Sequence, residues 1–168
     1  GDEQATSVST MAMYHAHRNV LAAASPKFRD IFASASTATA STPAAAAVSV
    51  VDVRDVSPRT FSLLLRYCYH GTASVSSPPQ AMALLKAAHA YELTGLVEEC
   101  ERHLRDKLTV ENVVVLLTVA HRLRGSASLL AVAATDFIVE NYKAVSHTAP
   151  FKKLDRQLLA SILDQVLL

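Results

Sequence analysis

From Gln80 to the end of the chain, apolar residues return every three or four positions. That spacing puts them on one side of an α-helix. Met82, Leu85, Ala88 and His89 mark one such face, ending at Tyr91, and Leu96, Val97, Cys100, Leu104 and Leu108 mark the next. The other side of the second helix carries Glu98, Glu99, Glu101, Arg102, Arg105 and Asp106, a mixed-charge surface of the kind that faces water. Thr109 is placed to cap a helix running to Arg124, with Val113, Leu116, Leu117, Ala120 and Leu123 in register. Ser128 opens another helix over 128–141, and a last one covers 155–167 after the break at Ala149 and Pro150.

The first half has a different rhythm. Residues 6–15 read as short extended segments. Val20, Leu21, Phe28, Ile31 and Phe32 then fit two short helices separated at Ser25-Pro26, where serine can cap and proline suits the first helical position. Residues 33–47 use only alanine, serine, threonine and proline, which predicts a flexible surface loop. Residues 48–53 are β-branched and predict a strand. Ser57-Pro58 repeats the capping signal and opens a helix with Phe61, Leu64, Leu65 and Cys68 on one face, closed by Gly71. Residues 73–75 predict a last short strand before a turn at Ser76 to Pro79. Short strands interleaved with helices and followed by helices alone give an α+β chain, a small sheet flanked by a helix cluster with an all-helical extension.

Composition narrows the function more than the fold. The chain has 168 residues, of which 51% are hydrophobic, enough to bury a core. Sixteen basic residues against fifteen acidic ones leave no broad basic face, so nucleic acid is not an expected partner. No run of eighteen apolar residues predicts a membrane span, and no basic segment with an apolar run predicts a secretory leader. Cys68 and Cys100 stand far apart in apolar helical patterns, so both are expected as reduced, buried thiols in a reducing compartment. The first residue is not methionine, which reads as a piece of a longer protein.

Candidate chemistry is sparse. His15-x-His17 and Cys68-x-His70 lack further ligands at matched spacing, so no metal site is expected. No serine lies in a glycine-flanked elbow, and four glycines make no phosphate loop, so neither a catalytic residue nor a cofactor is expected. Val114, Val115 and Val119 lie off the main apolar face of their helix. They either receive a partner helix in a groove or pack under the last helices, the second being favoured.

Several motifs in order resemble the BTB/POZ family. His17, Arg18, Leu21, Ala22, Ser25 and Phe28 match its H-[KR]-x-x-L-A-x-x-S-x-x-F signature. V-S-V-V-D-V followed by F-S-L-L-L-R-Y-C-Y-H-G matches its strand and helix, with Tyr69 and Gly71 in place. L-L-K-A-A-H-A-Y-E-L-T-G-L-V-E-E-C-E-R-H-L is similar to the helix pair that closes the BTB fold. The stretch beginning L-T-V-E-N-V-V-V-L-L resembles the 3-box helices that open a BACK segment. Speckle-type MATH–BTB adaptors and other BTB–BACK proteins are the most similar. The resemblance implies a BTB/POZ domain over 1–108 and a partial BACK-like segment over 109–168.

The same resemblance implies a homodimer built by the first helix and the N-terminal strand, with Arg18, Val20 and Leu21 at the interface. In the family, the basic residue at Arg18 often pairs with an acid of the N-terminal strand, here Asp2 or Glu3. Many members bind a cullin scaffold while a separate domain holds the substrate, which places such a domain outside this chain. The implied role is a substrate adaptor of a cullin–RING ubiquitin ligase in nucleus or cytoplasm. The alternative is a dimerising scaffold in transcriptional or signalling assemblies. Good cullin binders often carry a hydrophobic-x-Glu motif in the loop before the central strand, yet residues 33–47 hold no glutamate and no large apolar side chain. The cullin-facing candidates are then Tyr67 on one helix and His121, Arg122 and Arg124 on another.

Overall fold

A computed structural model describes residues 12–37, 50–125 and 128–166. The chain divides into two compact units, Gly1–Ala73 and Ser74–Leu168.

The first unit holds α1 (Arg18–Ala24), α2 (Pro26–Thr37) and α3 (Pro58–His70). The break between α1 and α2 lies at Ser25, whose hydroxyl accepts the N–H of Phe28 at 3.1 Å while the residue itself is fully buried. Ser57 caps α3 in the same way, accepting from Thr60 N–H at 3.3 Å. The far end of α3 closes at Gly71, whose φ of 72° suits a residue without a Cβ and whose N–H reaches Tyr67 O at 2.8 Å. Leu21, Phe28, Phe32, Leu64 and Leu65 form the core of this unit. Phe28 lies 6.1 Å from Phe32 in a stacked pair and 6.4 Å from Phe61 edge to face.

Two expectations change here. Helix α2 runs to Thr37, so residues 33–37 are helical rather than looped. Alanine has the highest helix propensity, and the Ser34 hydroxyl folds back onto Asp30 O at 2.9 Å instead of breaking the turn. Residues 38–47 of the expected loop lie outside the described residues, as do residues 6–11 and 48–49 of the expected strands. Among the described residues, 50–53 and 73–75 carry no strand. β-Branched composition favours an extended backbone, but only a paired neighbour turns it into a strand.

The second unit holds α4 (Pro78–Ala90), α5 (Thr94–Arg105), α6 (Val113–Arg124), α7 (Leu129–Glu140), α8 (Tyr142–Val145), α9 (Ala149–Lys152) and α10 (Arg156–Val166). α4 packs chiefly on α5, and α6 on α7, which also meets α5 and α10. α4 begins at Pro78, inside the expected turn, because proline at the first helical position costs no hydrogen bond. Its buried face is Ala81, Leu84, Leu85 and Ala88; Met82 is half-buried and His89 exposed, so the true face is rotated by about one position. α6 starts at Val113 with Asn112, rather than the expected Thr109, at the N-cap position. Asn112 takes the Thr109 N–H at 2.9 Å and donates to Lys107 O at 2.8 Å, which holds the preceding residues in a turn. Pro150, expected at a break, sits in the first turn of the short α9.

The α4–α5 corner ends in a left-handed residue that is not glycine. Leu93 N–H reaches Ala88 O at 2.9 Å and Glu92 N–H reaches His89 O at 3.1 Å, the paired bonds of a Schellman ending, with Glu92 at φ 56°. A glutamate there meets steric strain and the negative end of the helix dipole. Glu92→Gly is therefore expected to raise stability by about 0.5–1 kcal/mol. A thermal melt showing no gain would argue against strain at this corner.

Candidate interaction surfaces

Around the start of α1 the chain is held by aromatic hydroxyls. His17 N–H donates to the Tyr69 hydroxyl at 2.6 Å, and the same hydroxyl lies 2.9 Å from His17 Nδ1. The Tyr14 hydroxyl donates to Pro58 O at 2.7 Å while its ring meets Phe61 at 5.6 Å. This fixes residues 12–17 against α3, yet Met13 stays 81% exposed and Tyr69 41%. Arg18 is exposed; its guanidinium donates to Phe32 O at 2.6 Å and lies 5.3 Å from the centre of the Phe32 ring. Asp2 and Glu3, the expected acids for Arg18, lie outside the described residues. Val20 is half-buried, and Leu21, only 5% exposed, is enclosed by the unit's own helices. Sequence reasoning missed Met13, Tyr14 and Tyr69 as a surface. Met13 and Tyr14 lie in a segment read as extended and Tyr69 near the end of a helix, so no shared spacing joined them in the sequence.

Tyr67 lies half-buried on α3 in the first unit. His121, Arg122 and Arg124 share the last turn of α6 in the second, with His121 and Arg122 exposed. The two arginines in this last turn face unpaired carbonyls and the negative end of the dipole, a favourable place for a cation.

Along α6 runs an open groove of about 500 Å³, walled by Val115, Val119 and Arg122 on one side and Pro150, Lys153 and Leu154 on the other. Of the valines off the main face, Val114 is 2% exposed and packs inside, whereas Val115 is 41% exposed and lines the groove. Val114 thus packs inward at the floor of the groove, while Val115 stands open to it. Arg122, Lys153 and Asp155 stand among the apolar side chains of the groove, so its charge is mixed.

Beneath the α6–α7 turn sits a buried charge. Glu101 of α5 is 2% exposed. Its Oε1 accepts the Ser128 hydroxyl at 2.8 Å, and Ser128 Oγ in turn accepts Ala131 N–H at 3.2 Å. Arg124 Nη1 lies 3.7 Å from Oε2, which has no hydrogen-bond partner among the described residues.

Both cysteines are free. Burial, reinforced by Glu99 and Glu101, pushes the Cys100 thiol up from 9.0 to about 12; burial pushes Cys68 up to about 11. The folded thiols keep protons that the unfolded chain releases. This contribution to stability is full below about pH 9 and is lost as pH rises through the folded values. Iodoacetamide at pH 8 is accordingly expected to leave Cys100 unmodified in the folded chain and to alkylate it in urea. Equal labelling by mass spectrometry in both states would contradict its burial.

Among the described residues, no group of three or more His, Cys, Asp and Glu side chains could hold a metal ion. None of the described helices is long and apolar enough to cross a membrane.

The family model of the BTB/POZ domain matches residues 5–108. Human Kelch repeat and BTB domain-containing protein 4 is 31% identical over 151 residues, covering 90% of this chain and 26% of that protein. Kelch-like protein 21 of Danio rerio is 29% identical over 152 residues, covering 90% of this chain and 23% of that one. BTB and MATH domain-containing protein 40 of Caenorhabditis elegans is 29% identical over 114 residues, covering 66% of this chain and 28% of its own length. The chain thus spans about a quarter of the length of these relatives. With most of its length matched in a single alignment to that model, the chain belongs to the BTB/POZ domain family.

Proposed function

We propose that this chain is the homodimerising adaptor module of a cullin–RING ubiquitin ligase, without catalysis or cofactor of its own. The observation that carries the reading is the alignment of 90% of the chain with a human protein whose name joins a BTB domain to Kelch repeats, of which it makes up only about a quarter. The remaining length of such proteins leaves room for a separate substrate-binding domain, so the substrate is held outside this chain. Residues 1–108 act as the BTB/POZ domain and 109–168 as a BACK-like segment. The dimer face gathers Arg18, Val20 and the margin of Met13 and Tyr69. Dimerisation presents two weak substrate contacts at high effective concentration. Tyr67 and the α6 end at His121, Arg122 and Arg124 face the cullin, with the groove beside Val115 available to an apolar segment of it. The module works in nucleus or cytoplasm.

A second reading is favoured by the composition of residues 33–47, which offer no hydrophobic-x-Glu motif. It is a dimerising scaffold in transcriptional or signalling assemblies, needing the same self-complementary face and no cullin surface.

Light scattering of the purified chain, alone and with the N-terminal domain of a BTB-binding cullin, separates the two. The adaptor reading expects a dimer that takes up two cullin copies, with Arg122→Glu weakening the complex about tenfold through charge reversal at the contact. A dimer that ignores the cullin at tens of micromolar transfers the function to scaffolding, and a monomer removes both.

A further inference from the structure

A carboxylate at 2% exposure is costly unless its oxygens are matched. Glu101 has two sources of relief, and they flank one turn. Arg124 is the last residue of α6, and Ser128 caps the first turn of α7. Between them Gly125 takes φ 61° and ψ −144°, a conformation only glycine adopts readily. A single side chain of α5 therefore gathers the end of one helix and the start of the next, while standing too deep for any partner to touch.

We infer that Glu101 is a positioning residue for the cationic end of α6: it sets where His121, Arg122 and Arg124 stand when a partner arrives. This rests on the cullin reading given above. Arg124 is one-third exposed and its long side chain has many solvent rotamers. The attraction at 3.7 Å and the Ser128 bond at 2.8 Å tie Arg124 and Ser128 to the same side chain of α5. The Ser128 bond ties α5 to the start of α7, and the Arg124 contact ties it to the last residue of α6.

The test uses Glu101→Gln, which keeps the side chain's size and its acceptor for the Ser128 hydroxyl but removes the charge facing Arg124. Ile138→Val serves as control, because Ile138 is fully buried on α7 and its truncation lowers stability without touching the turn. Hydrogen exchange of the whole chain is followed well below both melting temperatures. Amides of Gly125, Ala131 and Val132 are expected to exchange about tenfold faster in Glu101→Gln and at the wild-type rate in the control. The dissociation constant for the cullin is expected to rise about tenfold in Glu101→Gln and to stay within about twofold in the control. Where wild type binds cullin, either readout unmoved, or both moved equally in the control, overturns the inference. If wild type binds no cullin, the adaptor reading falls by itself and exchange alone decides. Selective acceleration then upholds the positioning role, and its absence overturns it.

Discussion

Phe28→Ala is expected to lower the stability of the first unit by about 3–5 kcal/mol, among the largest effects of any single truncation in the chain. Phe28 is 2% exposed and its ring meets both Phe32 and Phe61. Removing it takes out most of a buried aromatic surface and leaves a cavity between α1, α2 and α3 that cannot close without shifting the Ser25 cap. The chain has no tryptophan, so helical circular dichroism under a urea gradient is the appropriate readout. A loss below about 1 kcal/mol would mean that the aromatic cluster collapses freely and is not the core of this unit.

Ser128→Ala is expected to cost about 2–3 kcal/mol in the second unit, from two losses at one atom. The hydroxyl caps α7 by accepting Ala131 N–H and donates to the buried Glu101 carboxylate. Its removal leaves a charge at 2% exposure with only Arg124 nearby, at 3.7 Å. Ser128→Asp keeps the cap but sets a second carboxylate beside Glu101, so it is expected to be worse than alanine. If both variants melt as wild type does, in the same urea series, the buried carboxylate is not held as described.

How much of this was legible in the sequence depends on the kind of signal. Ser25-Pro26, Ser57-Pro58 and Gly71 announced helix ends correctly, because caps and proline act through local geometry that a short window contains. The apolar spacing of α3 and α5 was equally plain, and Ser128 marked the start of α7. The start of α6 was ambiguous because Thr109 and Asn112 are both capping types, and the Asn112 side chain bonds back to Thr109 N–H and Lys107 O. Residues 33–37 were misread because low complexity resembles a loop, although alanine prefers a helix once Pro26 has started one.

The interaction surfaces were less legible than the helices. Leu21 and Val20 are equally apolar in the sequence, yet one is enclosed and the other half-open, a distinction made by α3 more than forty residues away. Glu101 sat in a run of charges that reads as a solvated face. It turns inward because Ser128 and Arg124, over twenty residues later, supply its donors. Pairings of that range leave no periodic trace.

The way the helices find one another in the second unit also bears on how it comes to exist. α4 meets α5 and α6 meets α7, each pair joined by a short connection and each following directly along the chain. Contacts between chain neighbours need little loop closure, so such hairpins form quickly and without waiting for distant segments. On a ribosome, the α4–α5 hairpin can therefore be complete before α7 has been synthesised. Glu101 would then wait, solvated, until Ser128 emerges. Burial of that carboxylate then follows only once Ser128 and Arg124 are in place, closing over a hairpin already formed.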